Sequence, residues 1–283
     1  MEKWTEVITP NRGLLSLRLG ELWRYRNLVM MFVRRDFVTY YKQTILGPLW
    51  FFIEPVFIAA VNLFVFGGLA KIGPAGVPGF LFYLSGPILW NYFQDSLLKS
   101  ADTFKAHQSI FGKVYFPRLV IPLSIVVSNL LKLGVQLSLL LLAVLYVWGT
   151  EGQLYLQPQL YLLPVIIVLI AGLGMGFGIL ISSLTTKYRD LSFLVNFGVP
   201  LLKYITPGIA TTYAIFLDKL PAWKLVAQIN PVGHLIDAFN FIFTGAGEID
   251  PWRLGYSFSV MLVVLFFGVI VFNKTEQNFI DTV

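Results

Sequence analysis

LGPLWFFIEPVFIAAVNLFVFGGLA, residues 46–70, holds a single charged side chain, Glu54, in a run long enough to cross a bilayer. A hydrocarbon core of about 30 Å takes roughly 20 apolar residues of helix. Five further runs of that kind follow at 80–98, 119–147, 161–184, 191–212 and 252–273. Pro200, Lys203 and Pro207 interrupt the run at 191–212. The chain is 57% hydrophobic and 13% charged over 283 residues, more apolar surface than one soluble core of this size buries. The pattern predicts an all-α integral membrane protein with six transmembrane helices.

Lys and Arg set the expected orientation. With six spans both termini share a side, and fifteen of the 21 basic residues fall there. They include Arg24, Arg26, Arg34, Arg35 and Lys42 before the first span, and Lys99, Lys105, Lys113 and Arg118 after the second. Four fall on the other side, and Lys132 and Lys203 lie inside spans. Both ends are expected in the cytoplasm. The net charge of +6 reads as membrane anchoring, because the basic residues are spread over loops and form no single patch beside aromatics. Nucleic acid is not an expected partner. No cleavable signal is expected, since more than 40 residues precede the first apolar run.

The chain divides into an N-terminal segment, 1–43, and a membrane domain, 44–283. Leu22, Trp23, Leu28, Met31, Phe32, Phe37, Val38 and Tyr41 recur at helical spacing among arginines. That pattern predicts an amphipathic interface helix with its apolar side in the acyl boundary. The 101–117 connection is amphipathic and longer than a plain turn requires, which favours a short helix on the cytoplasmic face. The 212–250 connection is too apolar for a solvated loop. Two patches, one around Trp223 and one around Phe239, predict short outer helices that re-enter the membrane boundary between spans five and six.

Glu54, Lys132 and Lys203 are charges inside apolar runs, where an unpaired charge costs several kcal/mol. Lys132 shares a stripe with Ser124, Ser128 and Gln136; Asn91 and Asp95 face together on the second span; Asn196 and Lys203 share a face of the fifth. These groups either pair internally, for example Glu54 with Lys132, or line a polar pathway. Trp50, Tyr92 and Phe93 lie beside them; aromatic faces of that kind either pack within the bundle or stack on sugar rings. Gly172, Gly174, Gly176 and Gly178 form two overlapping GxxxG registers, a helix-packing signal. They do not make a dinucleotide fingerprint, because GxGxxG is not met.

With no cysteine and only His107 and His234, disulfides, thiol catalysis and metal centres of Cys or clustered His are excluded. No GxxxxGK[ST] loop and no nucleophile–base constellation is present. The chain reads as a non-enzyme, without a cofactor or a metal of its own.

RRDFVTYYKQTILGPLWFFIEP (34–55), KVYFPRLVIPLS (113–124), KYRDLSFLVNFGVPLL (187–202), NPVGHLIDAFNFIFTG (230–245) and FNKTEQNFIDTV (272–283) resemble ABC-2-type export permeases, in order and over the chain from about Leu22. Within that family the strings look most like the permease subunit of O-antigen polysaccharide exporters. Teichoic-acid and capsule exporters, and ABC-2 exporters of small hydrophobic compounds, are the alternatives. The resemblance implies a type V exporter-like fold and a homodimer in the bacterial inner membrane. It implies two copies of a separate cytoplasmic ATPase, which would bind ATP and Mg. The implied substrate is a lipid-linked polysaccharide carried to the outer face. It also implies that Arg34, Arg35, Asp36 and Tyr40 cradle that ATPase. Lys105, Phe111, Lys113, Tyr115, Phe116, Pro117 and Arg118 would form the coupling helix and cytoplasmic gate. Trp223 and Phe239 would belong to the outer gate. Trp50, Glu54, Asn91, Tyr92, Phe93, Lys132, Gln136, Asn196 and Lys203 are the expected pathway lining.

Overall fold

A computed structural model of the chain describes residues 19–42, 45–107 and 116–280, and all regular structure among them is helical. Helix α1 (Leu19–Arg24) breaks at Tyr25 and resumes as α2 (Arg26–Tyr41). Val29, Phe32 and Val33 of α2 pack against Phe116, Val120, Ile121 and Ile125. The expected lipid-facing side is therefore divided: part sits on protein, while Trp23, Met30 and Met31 are exposed.

Four helical stretches among the described residues are long and apolar enough to cross a membrane: Gly47–Leu69, Val120–Glu151, Pro158–Lys187 and Pro251–Thr275. The first contains α3 (Trp50–Asn62), which passes through Pro55 and widens into a π-helical turn at Leu63–Leu69. Next comes α4 (Gly79–Ala101), whose 23 residues reach about 35 Å. It is more polar than the four and almost wholly buried. A short turn, α5 (Thr103–Ala106), follows it. Helix α6 (Val120–Glu151) ends at Gly152, whose φ of 71° supplies the left-handed cap.

Helix α7 (Leu163–Lys187) is the central one: half of its most apolar window is buried inside the chain, against 22–28% for the other three candidate spans. Its glycines explain why. A Cβ at Gly172 or Gly176 would meet Met261 or Val264 and Leu265, whereas one at Gly174 or Gly178 would meet Ser96 or Ser100 and the Leu97 backbone. The two GxxxG registers thus serve two different helices, α4 on one side and α12 (Pro251–Ile280) on the other. Among lipid tails, helix contact gains little from the hydrophobic effect, so close backbone approach carries much of it.

The run expected at 191–212 is not one helix. Helix α8 (Asp190–Leu202) gives way to a 3-10 turn at Lys203–Ile205, and Thr206 is extended at φ −94°, ψ 121°. Pro207 is the cause, because a residue before proline is pushed out of the helical region. The outer connection then holds α9 (Tyr213–Lys219), α10 (Lys224–Ile229) and α11 (Pro231–Thr244).

Candidate functional site

Three helices bring their charges together inside the bundle. Lys132 of α6 places Nζ 3.1 Å from Asp95 Oδ2 of α4 and 3.3 Å from Glu54 Oε2 of α3. The Lys132 side chain is 12% exposed, Asp95 24% and Glu54 45%, so the lysine is enclosed while Glu54 opens outward. The pair named from sequence, Glu54 with Lys132, is present. Asp95 completes it as the nearer partner.

One helical turn toward α2, the polar path continues. Lys99 Nζ donates to Asn129 Oδ1 at 3.0 Å, and Asn129 Nδ2 donates to Ser96 Oγ at 3.2 Å. Beyond lies a cleft of about 520 Å³ lined by Arg35, Asp36, Lys99, Asp102, His107 and Ser128, among others. Arg35 Nε and Nη2 both donate to Asp36 Oδ1, at 2.9 and 2.8 Å, and the guanidinium lies 4.8 Å over the Phe32 ring. His107 sits 3.3 Å from the Thr103 carbonyl, and burial pulls its pKa below the ordinary imidazole value.

Other expected lining residues are placed differently. Gln136 is 1% exposed, its Nε2 without a protein partner among the described residues, as is Asn91 Nδ2. Tyr92 and Phe93 are packed in the apolar core, with Tyr92 Oη donating to the Val126 carbonyl at 3.4 Å. Trp50 is half exposed at the start of α3; Asn196 is exposed and pairs with Ser192 on its own helix. Lys203 stands in the 3-10 turn after α8, within electrostatic reach of Glu54. Of the expected ATPase-facing residues, Arg34 is exposed, Lys105 is exposed on α5, and Phe116 and Arg118 are buried against neighbours. Phe111, Lys113 and Tyr115 lie outside the described residues, as does the side chain of Tyr40.

The outer connection contains a hub that sequence reading missed. Asn230 caps α11 by accepting from Val232 N and Gly233 N, and its Nδ2 reaches Thr206 Oγ1 at 3.0 Å. Asn240 Nδ2 donates to the Gly208 carbonyl at 2.6 Å while its Oδ1 accepts from Ser85. Asp237 is 1% exposed and accepts from Tyr213 N at 2.9 Å and Glu248 N at 3.1 Å. The signal was there: Asp237 and Asn240 are polar residues three apart in an otherwise apolar run. Phe239 is fully buried beside Phe243, whereas Trp223 is 45% exposed in a 3-10 turn, so the two expected gate aromatics occupy unlike settings.

Removing the Asp237 carboxylate strands the buried Tyr213 N–H, at about 1–3 kcal/mol, and frees the half-buried Glu248 N–H to turn to water at smaller cost. Asp237→Ala is expected to speed amide hydrogen exchange at Tyr213 and Glu248 well before the transmembrane helices exchange. Unchanged protection at both amides would refute the clamp.

The family model described as ABC-2 type transporter matches residues 27–244. Two O-antigen export system permease proteins, both named RfbA and both from Klebsiella pneumoniae, are each 26% identical to the chain, covering 94% of it and 98% of their own length. One from Myxococcus xanthus with the same name is 25% identical over 263 residues, covering 93% of this chain and 98% of its own. A match over most of the chain, on a multi-pass helical bundle with paired charges in its interior, makes this protein a member of the ABC-2 type transporter family.

Proposed function

We propose that the chain is the membrane permease subunit of an ATP-driven exporter, moving a lipid-linked polysaccharide of O-antigen type to the outer face of the bacterial inner membrane. The observation that carries this reading is the near full-length similarity to permeases named for O-antigen export. In this reading α4 and the α8 segment join the four apolar stretches to make six spans, and α9 to α11 form re-entrant outer gates. Residues 1–43 are a cytoplasmic segment, 44–283 the membrane domain, and both termini face the cytosol.

Two copies pair through α3, the π-helical turn after it and α8, where Phe57, Phe64, Phe193 and Phe197 are each about two-thirds or more exposed in the single chain. Such a pairing sets Glu54, the most open of the three bridged charges, toward a shared pathway with Lys203 near it. A hydrophilic glycan needs a conduit whose walls offer polar groups without one closed pocket, and the ladder from Arg35 to Lys132 supports that. Arg34 and Lys105, exposed at one end of the bundle, are suited to grip two copies of a separate ATPase that supplies ATP and Mg chemistry.

A strain lacking the gene is expected to lose surface polysaccharide and to accumulate the lipid-linked intermediate inside, with both reversed by the wild-type copy. Undiminished surface polysaccharide in that strain would end the reading.

A further inference from the structure

A cavity of about 1100 Å³ opens between α1, α2, α6, α7 and α12. It exceeds the roughly 300–1,000 Å³ of an ordinary small-molecule pocket. Trp23, Met30, Leu123, Met175 and Phe266 are among its walls, and among the described residues the one charged group lining it is Arg26. The Arg26 guanidinium lies 5.6 Å from the Trp23 ring and spends one donor on the Trp23 carbonyl at 3.4 Å, leaving further donors for a ligand.

Water does not fill a space with such walls favourably, because it would find almost no hydrogen-bond partners there. Lipid tails would. Trp23 is 72% exposed, and Phe266 and Phe267 are half exposed, so the cavity opens toward the bilayer. Tryptophan favours the level of the headgroups, and a guanidinium beside it favours a negative one. We propose that this cavity is a binding site for one anionic phospholipid, its acyl chains along α6 and α12 and its phosphate on Arg26.

The lipid would do structural work there. Helix α2 rests on α6, and near its start Leu22 of the preceding turn touches the cluster of Ile179, Val269 and Phe272. Acyl chains between α2 and α12 would hold the interface helix to the far side of the bundle. The proposal is independent of what the protein transports.

The full chain, purified in mild detergent, is mixed with micelles carrying phosphatidylglycerol or phosphatidylethanolamine, and bound lipid is counted by native mass spectrometry. Wild type is expected to retain phosphatidylglycerol in preference to phosphatidylethanolamine. Arg26→Gln is expected to weaken that retention about fivefold, the loss of one interfacial charge contact, while Arg26→Lys keeps it. Leu123→Trp, which narrows the cavity and leaves Arg26 in place, is expected to weaken it as well. Equal retention of the two lipids overturns the proposal. So does phosphatidylglycerol retention left unchanged by Leu123→Trp, or an isoprenoid phosphate that displaces it.

Discussion

Lys132→Leu is expected to destabilise the purified chain by about 3 kcal/mol, because removing one partner of an enclosed ion pair leaves charge behind without compensation. The figure sits at the low end of the range because Glu54, one of the two abandoned carboxylates, is 45% exposed. Asp95 bears most of the cost, since it is the nearer and more enclosed partner. Neutralising those carboxylates as well, with Glu54→Gln and Asp95→Asn added to Lys132→Leu, should restore most of the thermal stability. Export provides the second readout. If the charges line the pathway, the triple variant folds and still fails to put polysaccharide on the surface. If they only hold α3, α4 and α6 together, it folds and exports. Melting in detergent with surface-polysaccharide staining separates these outcomes, and a triple variant no more stable than Lys132→Leu would refute the pairing argument.

Gly178→Leu is expected to do more damage still. A Cβ there would lie 2.5 Å from the Ser100 Cβ and 2.8 Å from the Leu97 carbonyl oxygen. Backbone cannot give way as a flexible side chain does, so α7 must move off α4. Overpacking typically costs about 1–3 kcal/mol, and a clash with main chain at the central contact belongs at or above the upper end. Gly134→Leu on α6 is the control, because nothing lies within 4 Å of a Cβ at that position. Folded yield by size-exclusion chromatography should collapse for Gly178→Leu and stay near wild type for Gly134→Leu. Equal yields would show that the α4–α7 contact is not what holds the bundle.

Much of this was legible in the sequence, for physical reasons that also mark where it stopped. Apolar length alone locates helices, so the runs at 46–70, 119–147, 161–184 and 252–273 emerge as long helical stretches with ends shifted by a few residues. Glycine spacing announced close packing along 172–178, yet spacing does not say that alternate registers face different neighbours. That depends on how α7 is rotated between α4 and α12. The same rotation decides Lys132. A lysine among apolar residues must find a partner, and Glu54 was named as one, but Asp95 as the nearer partner follows from the crossing of α4 and α6.

At 191–212 apolar length misleads, because Pro207 acts on the residue before it and ends the helix in mid-run. For 213–250 the difficulty is of another kind. Helix α11 carries a polar stripe of His234, Asp237, Asn240 and Thr244, but nearly every residue of the helix is buried, so the stripe faces protein rather than water and the pattern alone does not reveal the clamping done by Asp237 and Asn240.

The length of α6 has a mechanical consequence. Its 32 residues make a rod of about 48 Å, seated at the base on Phe32 and Val33 and braced less than halfway up by the Lys132 bridge. A rod held at a pivot converts a nudge at its foot into a larger swing at its far tip. In the proposed exporter, a motor pressing on α2 would need no chain of side-chain switches to be felt across the bilayer; tilting one stiff strut would suffice.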